Sequence, residues 1–350
     1  MSHRISLRCI GSIIAVLGLL ILPAFATHLR TTKPTQRSSA AKVPIAHYKV
    51  VHGWPVLPDN AVFEEISAVG VDSNGNVFVL QRGGRKWPET DILDQTPIDP
   101  PTVFVFDGRT GRFLSAWGEK HFALPHSLTV DRHDNIWVTD VAWHQVYKFT
   151  HDGKLQMTLG ERGVSGVDGS HFNRPTDVAV ASDGSFYVSD GYENSRVIKF
   201  DANGKFLSEW GTKGKGPGQF DLPHGIAVDA AGRVFVVDRN NARVQVFDGR
   251  GNYLTEWKGP PFLNPMDIAI AGDGKAFVVD VGNNNAPAPD RSGAYVMRPD
   301  GRLIGRFGRY GYYDGQFLIA HGVAAGKRGE IYVADFAGRR VQKFVRAGRR

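Results

Sequence analysis

Three histidines occupy the same position in every second copy of a repeated sequence motif. His126 and His224 each follow a proline at the start of an apolar run, and His321 holds the matching position after an alanine. The intervals from His126 to His224 and from His224 to His321 are 98 and 97 residues, two copies each. Neutral imidazoles that converge on one point form a three-ligand site with an open position, which is typical of catalytic zinc. Zinc is the predicted metal, with copper, iron and manganese as alternatives because imidazole binds them all.

A second group of polar residues is expected around the histidines. Arg82 and Arg239 occupy one position, directly after the second strand of their copies, and Tyr192 lies one position further along in another copy. The start of strand one and the loop after strand two emerge on the same face of a four-stranded repeat, so these side chains should surround the histidines. Because guanidinium groups bind carboxylates through paired hydrogen bonds, the two arginines predict a carboxylate-bearing ligand. Surface ion pairing is the alternative for either arginine.

Six copies of a repeat of about fifty residues must position these side chains. Each copy contains short runs rich in Val, Ile, Phe and Tyr, separated by Asn-Gly or Asp-Gly turns, which specifies four antiparallel strands. Repeats of this length and strand count are typical of propeller blades. Pro223-His-Gly-Ile-Ala-Val-Asp229 and the strands that follow it resemble the NHL class of repeat. The sequence predicts an all-β, six-bladed β-propeller over residues 46–346.

The last copy ends after its third strand, at residues 341–344, and only six residues follow. Its outer strand must therefore come from elsewhere, and residues 47–51 are the predicted donor. Pairing the two ends of the chain in this way closes the ring and removes exposed strand edges, which otherwise promote aggregation.

The first residues of the chain predict export. Arg4 and Arg8 precede an apolar run from Ile10 to Leu22, and Ala24-Phe25-Ala26 is the small-x-small pattern of a signal-peptidase site. We therefore expect residues 1–26 to be a cleaved signal peptide. The apolar run is shorter than the roughly 20 residues that span a bilayer. An uncleaved membrane anchor is the alternative.

Charge and cysteine content indicate which binding partners and cross-links to expect. Residues 27–45 are basic and rich in Thr, Ser and Ala, which predicts a disordered linker. The net charge of +7 is compatible with nucleic acid, but the basic residues form no stripe interleaved with aromatics, and export argues against that partner. The single cysteine, Cys9, lies in the predicted signal peptide, so the mature chain forms no disulfide.

The chain resembles the peptidyl-α-hydroxyglycine α-amidating lyase, the second catalytic domain of the peptide-amidating enzyme. The resemblance covers about residues 47–344. Its most specific stretches exceed the general repeat consensus: Leu124-Pro-His-Ser-Leu-Thr-Val-Asp131, residues 135–149, Arg174-Pro-Thr-Asp-Val-Ala-Val180, residues 187–196 and residues 237–245.

This resemblance implies a zinc-dependent carbon–nitrogen lyase. It implies zinc held at His126, His224 and His321, with functional residues at Arg82, Tyr192 and Arg239. The reaction would cleave the C–N bond of a peptidyl-α-hydroxyglycine, or of a related carboxylate-bearing carbinolamide, to give an amide and glyoxylate. A separate hydroxylating monooxygenase would supply the substrate, because this chain has no residues left for that domain.

The resemblance also implies a structural calcium on the ring axis. In the family its ligands are backbone oxygens at positions matching Val69 and Leu128 and an acidic side chain just after the third histidine. This chain departs from the pattern, since it has Gly322 there.

Two other functions stay open from the sequence. A metal-dependent, lactonase-like hydrolase is one, although such propellers usually bind calcium through Asp, Glu and Asn. A non-catalytic, exported NHL propeller that binds protein or glycan is the other, because a fold does not fix a function. Residues 83–101, an insertion after Arg82, form either a lid or a long blade connection. The natural substrate and the oligomeric state are not indicated.

Overall fold

The computed structural model describes residues 43–59, 61–259, 261–282 and 291–348. The predicted signal peptide (1–26) and all but the last three residues of the predicted linker (27–45) lie outside the described residues, so both stay predictions. Within the described ranges, no helix is long and apolar enough to cross a membrane.

The described residues form six four-stranded antiparallel sheets, which we number as blades 1 to 6. Blades 1 to 3 comprise β2 (Ile66–Val71), β3 (Asn76–Gln81), β4 (Val103–Asp107) and β5 (Phe113–Trp117); β6 (Pro125–Val130), β7 (Ile136–Asp140), β8 (Gln145–Phe149) and β9 (Leu155–Leu159); and β10 (Pro175–Val180), β11 (Phe186–Asp190), β12 (Arg196–Phe200) and β13 (Phe206–Trp210). Blades 4 to 6 comprise β14 (Pro223–Val228), β15 (Val234–Asp238), β16 (Arg243–Phe247) and β17 (Tyr253–Lys258); β18 (Pro265–Ile270), β19 (Ala276–Asp280), β20 (Gly293–Met297) and β21 (Leu303–Phe307); and β22 (Ala320–Ala325), β23 (Ile331–Asp335), β24 (Arg340–Arg346) and β1 (Tyr48–Val50). One 3₁₀ turn, η1 (Arg239–Asn241), separates β15 from β16.

The two ends of the chain close the ring, as the sequence predicts. Strand β1 pairs antiparallel with β24, with Tyr48 opposite Arg346 and Val50 opposite Phe344. The innermost strands contact one another in the order β2, β6, β10, β14, β18, β22 and back to β2. The predicted all-β, six-bladed propeller with a closing N-terminal strand is therefore confirmed.

Blades pack against one another through large aromatic side chains at the ends of fourth strands. A Cβ atom built on Gly153, in a turn of blade 2, would lie 2.6 Å from the Trp117 ring of blade 1. Gly153 also has a backbone φ angle of 86°, which residues other than glycine rarely adopt. The turn needs glycine for both reasons, and blade 4 repeats the arrangement with Gly251 and Trp210.

A β-bulge interrupts the start of the innermost strand in every blade. In blade 2 the register of β6 against β7 shifts between Pro125 and Leu128, and in blade 4 the register of β14 shifts between Pro223 and Ile226. Bulges redirect side chains near functional sites. Here the bulges contain the positions of the predicted metal ligands.

Candidate metal centre and substrate pocket

The three predicted metal ligands meet on the axis of the propeller. Their ligand nitrogens all lie within 4.8 Å of one another, and all three side chains are buried. The ring centroids are 4.8 Å apart for His126 and His224, 5.0 Å for His126 and His321, and 5.1 Å for His224 and His321. This nearly threefold arrangement is suited to one small ion bound by three imidazoles.

Backbone carbonyl groups hold the histidines in one tautomer. The Nδ1 atoms of His126, His224 and His321 each lie 2.7 Å from a carbonyl oxygen of the next blade. The acceptors belong to Thr176, Met266 and Ser67, which occupy the same position in the three blades that lack a histidine. A carbonyl oxygen only accepts, so Nδ1 carries the hydrogen and Nε2 keeps its lone pair. Hydrogen bonds of this kind orient histidine ligands in metal sites.

We call these six residues, one from each blade, the histidine ring: Ser67, His126, Thr176, His224, Met266 and His321. Burial is the main cause that lowers the pKa of all three imidazoles, and that of His321 falls to about 3. Nearby guanidinium groups add to the effect. The imidazoles are therefore neutral, the form that binds metals.

Arg82 follows β3 and is almost completely buried beside the histidines. Its side chain is 2% exposed, and its Nε donates to the carbonyl oxygen of Pro125, 3.2 Å away in blade 2. The guanidinium carbon also lies 4.8 Å from the ring centroid of Phe336 and 5.7 Å from that of Trp87. Contacts on several sides thus fix this cation.

Tyr192 brings a hydroxyl group to the histidines. Its oxygen lies 3.0 Å from Nε2 of His126 and 3.3 Å from Nε2 of His224. The chain reaches this point through Gly191, where a Cβ atom would lie 1.8 Å from the carbonyl oxygen of Pro223. Burial raises the pKa of Tyr192, while the charges of Arg239 and Arg82 oppose this rise.

Arg239 opens η1, on the opposite side of the ring from Arg82. The Asp238 carboxylate shapes this turn by accepting hydrogen bonds from the Asn241 side chain and from Nε of Arg243. The guanidinium group of Arg239 is oriented by Asn264, whose Oδ1 accepts from Arg239 Nε at 2.9 Å. Asn264 was not predicted from the sequence, although it stands two positions before Met266 and could have been found by comparing that position among the blades.

One pocket of about 480 Å³ joins these groups. It is lined by Arg82, Tyr192, Arg239 and His321 of the predicted set, while His126 and His224 meet His321 on the axis. The structure therefore brings all six predicted side chains together. The insertion at 83–101 also reaches the pocket, through Trp87, which the sequence did not single out.

The calcium site implied by the resemblance is incomplete in this chain. Val69 and Leu128 line the channel farther along the innermost strands, as expected. Gly322 supplies no carboxylate, and a Cβ atom there would lie 3.0 Å from the Cα atom of Ala68. The residues present therefore do not provide the full set of ligands expected for calcium.

Two other carboxyl groups line this part of the channel. We call the residues one position after the histidine ring the carboxyl ring: Ala68, Ser127, Asp177, Gly225, Asp267 and Gly322. Asp177 accepts hydrogen bonds from the Ser127 hydroxyl and from the Ile226 N–H group, at 2.9 Å for the latter. Asp267 accepts from the N–H groups of Ile268 at 2.7 Å and Val323 at 2.8 Å. These carboxyl groups connect neighbouring blades.

Comparison with known proteins identifies the repeats. The family model described as "NHL repeat" matches residues 172–200, 220–247 and 317–344. Three of the six blades, blades 3, 4 and 6, therefore contain NHL repeats. The solved structure "Streptogramin B lyase structure" is similar to this propeller with a TM-score of 0.55 and 13% identity, over 85% of this chain and 97% of that one. At that identity the likeness concerns the fold alone.

Curated relatives of this chain include amidating lyases. "Peptidyl-alpha-hydroxyglycine alpha-amidating lyase 2" of Drosophila melanogaster is 40% identical over 177 residues, which are 48% of this chain and 43% of that protein. "Peptidyl-glycine alpha-amidating monooxygenase" of Mus musculus is 38% identical over 215 residues, which are 56% of this chain and 21% of that protein. The predicted resemblance is confirmed, and the matched part is less than half the length of each of these relatives.

Proposed function

We propose that the protein is a zinc-dependent lyase that cleaves the C–N bond of an α-hydroxyglycine conjugate. The products would be an amide and glyoxylate. One observation carries the proposal: three neutral imidazoles lie within 4.8 Å of one another at a pocket that also contains Tyr192, Arg82 and Arg239. The names of the relatives favour this chemistry over lactone hydrolysis and over a purely binding role.

The two arginines would hold the substrate through its carboxylate. Arg82 and Arg239 line the same pocket, and each has its Nε engaged by a protein oxygen, Pro125 O and Asn264 Oδ1 respectively. The terminal nitrogens of both guanidinium groups would bind an anion. A carboxylate is the anion that matches the geometry of a guanidinium group. This contact would leave the glyoxylate half of the molecule anchored while the amide departs.

Tyr192 would move the proton. Its oxygen lies beside the histidine nitrogens, so a carbinol hydroxyl bound there lies within its reach. Tyr192, as the phenolate, would take the hydroxyl proton while the electron pair of the C–N bond stays on nitrogen. Tyr192 would then pass that proton to the nitrogen and return to the phenolate form. The carbinol carbon becomes the aldehyde carbon of glyoxylate, and no water is consumed.

His126, His224 and His321 would hold the zinc. When bound, zinc supplies positive charge that lowers the pKa of nearby hydroxyl groups. The charges of Arg239 and Arg82 act in the same direction on Tyr192, but burial outweighs them and the pKa of Tyr192 is raised. The zinc charge would therefore have to supply the rest of the lowering.

We also propose that the protein is exported, because of the signal-like pattern at residues 1–26. The substrate would then reach it from a separate hydroxylating monooxygenase, an activity that the names of several relatives contain.

The test is glyoxylate release from an α-hydroxyglycyl peptide by the purified protein, compared with its Tyr192→Phe variant. We expect turnover in the wild type and a loss of at least about 100-fold in the variant, within the range of positioned proton transfer. Zinc content, measured by elemental mass spectrometry, should be unchanged.

Two results would contradict the proposal. Hydrolysis of lactones without glyoxylate release would favour the hydrolase. No stoichiometric transition metal and no turnover would favour a binding scaffold.

A further inference from the structure

One wall of the pocket comes from outside the repeats. Trp87 belongs to the insertion at 83–101, and its ring centroid lies 4.7 Å from that of Tyr192 at an interplanar angle of 38°. The same ring lies 5.7 Å from the guanidinium carbon of Arg82. Trp87 therefore contacts two of the residues that are proposed to handle the substrate.

The insertion is tied to blades 2 and 3. Near its end, the Ile98 N–H group donates to Phe122 O at 2.8 Å, and Ile98 itself is 3% exposed. In its middle, Asp91 O accepts from the Arg174 side chain at 2.7 Å, and Gln95 O accepts from the Trp143 indole at 2.9 Å.

The segment is also linked across its own length. Beside Trp87, the Arg85 side chain donates to the Thr96 hydroxyl at 2.9 Å. Contacts therefore hold the segment on both sides of Trp87. These contacts of the protein itself hold the Trp87 indole in the wall of the pocket.

Apart from Asn264 and Met266, the rest of the lining is aromatic, aliphatic or cationic. Tyr310, Tyr312 and Phe336 lie among the described lining residues, together with aliphatic side chains. No Asp or Glu side chain lines the pocket within the part of the chain that the structure describes. If the arginines bind the substrate carboxylate and Tyr192 contacts the carbinol hydroxyl, the acyl group on the substrate nitrogen must lie along this aromatic lining.

We propose that the pocket selects α-hydroxyglycine conjugates whose acyl group is aromatic or bulky and apolar, with Trp87 as its main contact. This inference rests on the proposed function, which decides that the carboxylate end faces the arginines. Stacking on an indole suits such a group, because aromatic pairs gain attraction beyond the area that they bury.

Binding of two ligands that cannot react separates this inference from the proposed function. N-phenylacetylglycine and N-acetylglycine carry the same carboxylate but lack the hydroxyl group. We would measure their dissociation constants by calorimetry with the metal-loaded wild type and with Trp87→Ala, Trp87→Phe and Ile92→Ala. Ile92 is a matched control because it lies in the same insertion, is 81% exposed and does not line the pocket.

The wild type should bind N-phenylacetylglycine at least about tenfold more tightly than N-acetylglycine. Trp87→Ala should remove most of this preference by weakening the phenylacetyl ligand alone, Trp87→Phe should keep most of it, and Ile92→Ala should change neither constant. Equal binding of the two ligands by the wild type would overturn the inference. So would a preference that survives in Trp87→Ala.

Turnover of the two matching α-hydroxyglycine conjugates completes the test. A wild type that shows the Trp87-dependent preference in binding but releases glyoxylate from neither conjugate would refute the proposed function while the aromatic subsite stands. Turnover of both conjugates with equal kcat/KM, and with equal binding, would support the lyase and overturn the subsite.

Discussion

The histidine ring and the carboxyl ring are adjacent layers of one channel, yet their polar groups are arranged in opposite ways. In the histidine ring, each imidazole uses one nitrogen for a carbonyl of the next blade and directs the other towards the axis. In the carboxyl ring, Asp177 and Asp267 have their oxygens engaged by hydroxyl and N–H donors of the protein. The histidine ring thus leaves nitrogen lone pairs for a ligand, whereas the carboxyl oxygens of the second layer accept hydrogen bonds within the fold.

Apart from the junction of blades 2 and 3, which the Ser127–Asp177 bond also joins, the bonds described for the two layers connect different pairs of blades. The histidine bonds join blades 2 and 3, 4 and 5, and 6 and 1. Asp177 joins blade 3 to blade 4 through Ile226, and Asp267 joins blade 5 to blade 6 through Val323. The contrast teaches that ionisable side chains in adjacent layers of the channel, carried by alternate innermost strands, serve separate purposes. Substitutions in the two layers should therefore have separable effects.

Removal of one imidazole should have the largest effect. His224→Ala should lose the zinc and bring glyoxylate release to background, because two imidazoles leave the ion without its third protein ligand. Elemental mass spectrometry after dialysis against a weak chelator checks the first point. Asp267→Asn is the matched control and should retain one zinc per chain. Equal zinc content in the two variants would erase the distinction between the layers.

Loss of an arginine should affect substrate binding and leave the metal in place. Arg239→Ala should lower kcat/KM for an α-hydroxyglycine conjugate by about 10- to 100-fold, since hydrogen bonds to charged groups contribute roughly 1.5–3 kcal/mol. Asn264→Ala should lower it less, because Asn264 orients the Arg239 guanidinium group, which this variant retains. Steady-state kinetics and zinc analysis measure both effects. Zinc loss in Arg239→Ala would show that the pocket and the metal centre are not separate.

The carboxyl ring should control how stability depends on pH. Burial raises the pKa of Asp177 to about 6, and burial together with the charge of Asp177 raises that of Asp267. The unfolded chain ionises near pH 4, so the stability contributed by the protonated groups is fully present below that pH and is lost as the pH rises through about 6. The imidazoles that adjoin this layer stay neutral throughout, because their pKa values are lowered.

Thermal unfolding of Asp267→Asn between pH 4 and pH 7 tests this assignment. The variant has one ionisable group fewer and relieves Asp177 of its repulsion, so its melting temperature should fall less over this range than that of the wild type. Parallel curves for the two proteins would mean that the carboxyl ring does not titrate as proposed.

The smallest expected effect is that of Ser127→Ala. Ser127 donates a hydroxyl hydrogen bond to Asp177 and lies next to His126 in the chain. Its loss should lower the free energy of unfolding by about 1–2 kcal/mol, as measured by denaturant titration. Zinc content and turnover should not change. A change in either would place Ser127 in the metal centre and blur the boundary between the layers.

Internal repetition explains how much the sequence could predict. Six copies of one pattern specify the number of blades and the origin of the closing strand. His126, Tyr192 and Arg239 stand out because their positions are not occupied by the same residue in all six copies. Trp87 could not be placed, since its insertion lies outside the repeated pattern. Asp267 was accessible to the same comparison one position further on, but its bond to Val323 depends on packing between blades, which the repeat pattern does not specify.

Ring closure makes the metal centre a property of the finished chain. His321 belongs to the last blade, and its Nδ1–H group is bonded to the carbonyl of Ser67, 254 residues earlier in the sequence. The other two imidazoles are synthesised long before it, but chelation by all three must await the seam between the last blade and the first. A chain truncated before that blade would offer two imidazoles and would bind the proposed ion more weakly. Affinity for the ion would therefore show whether the ring has closed. A metal-affinity purification step would separate closed propellers from chains that lack the last blade.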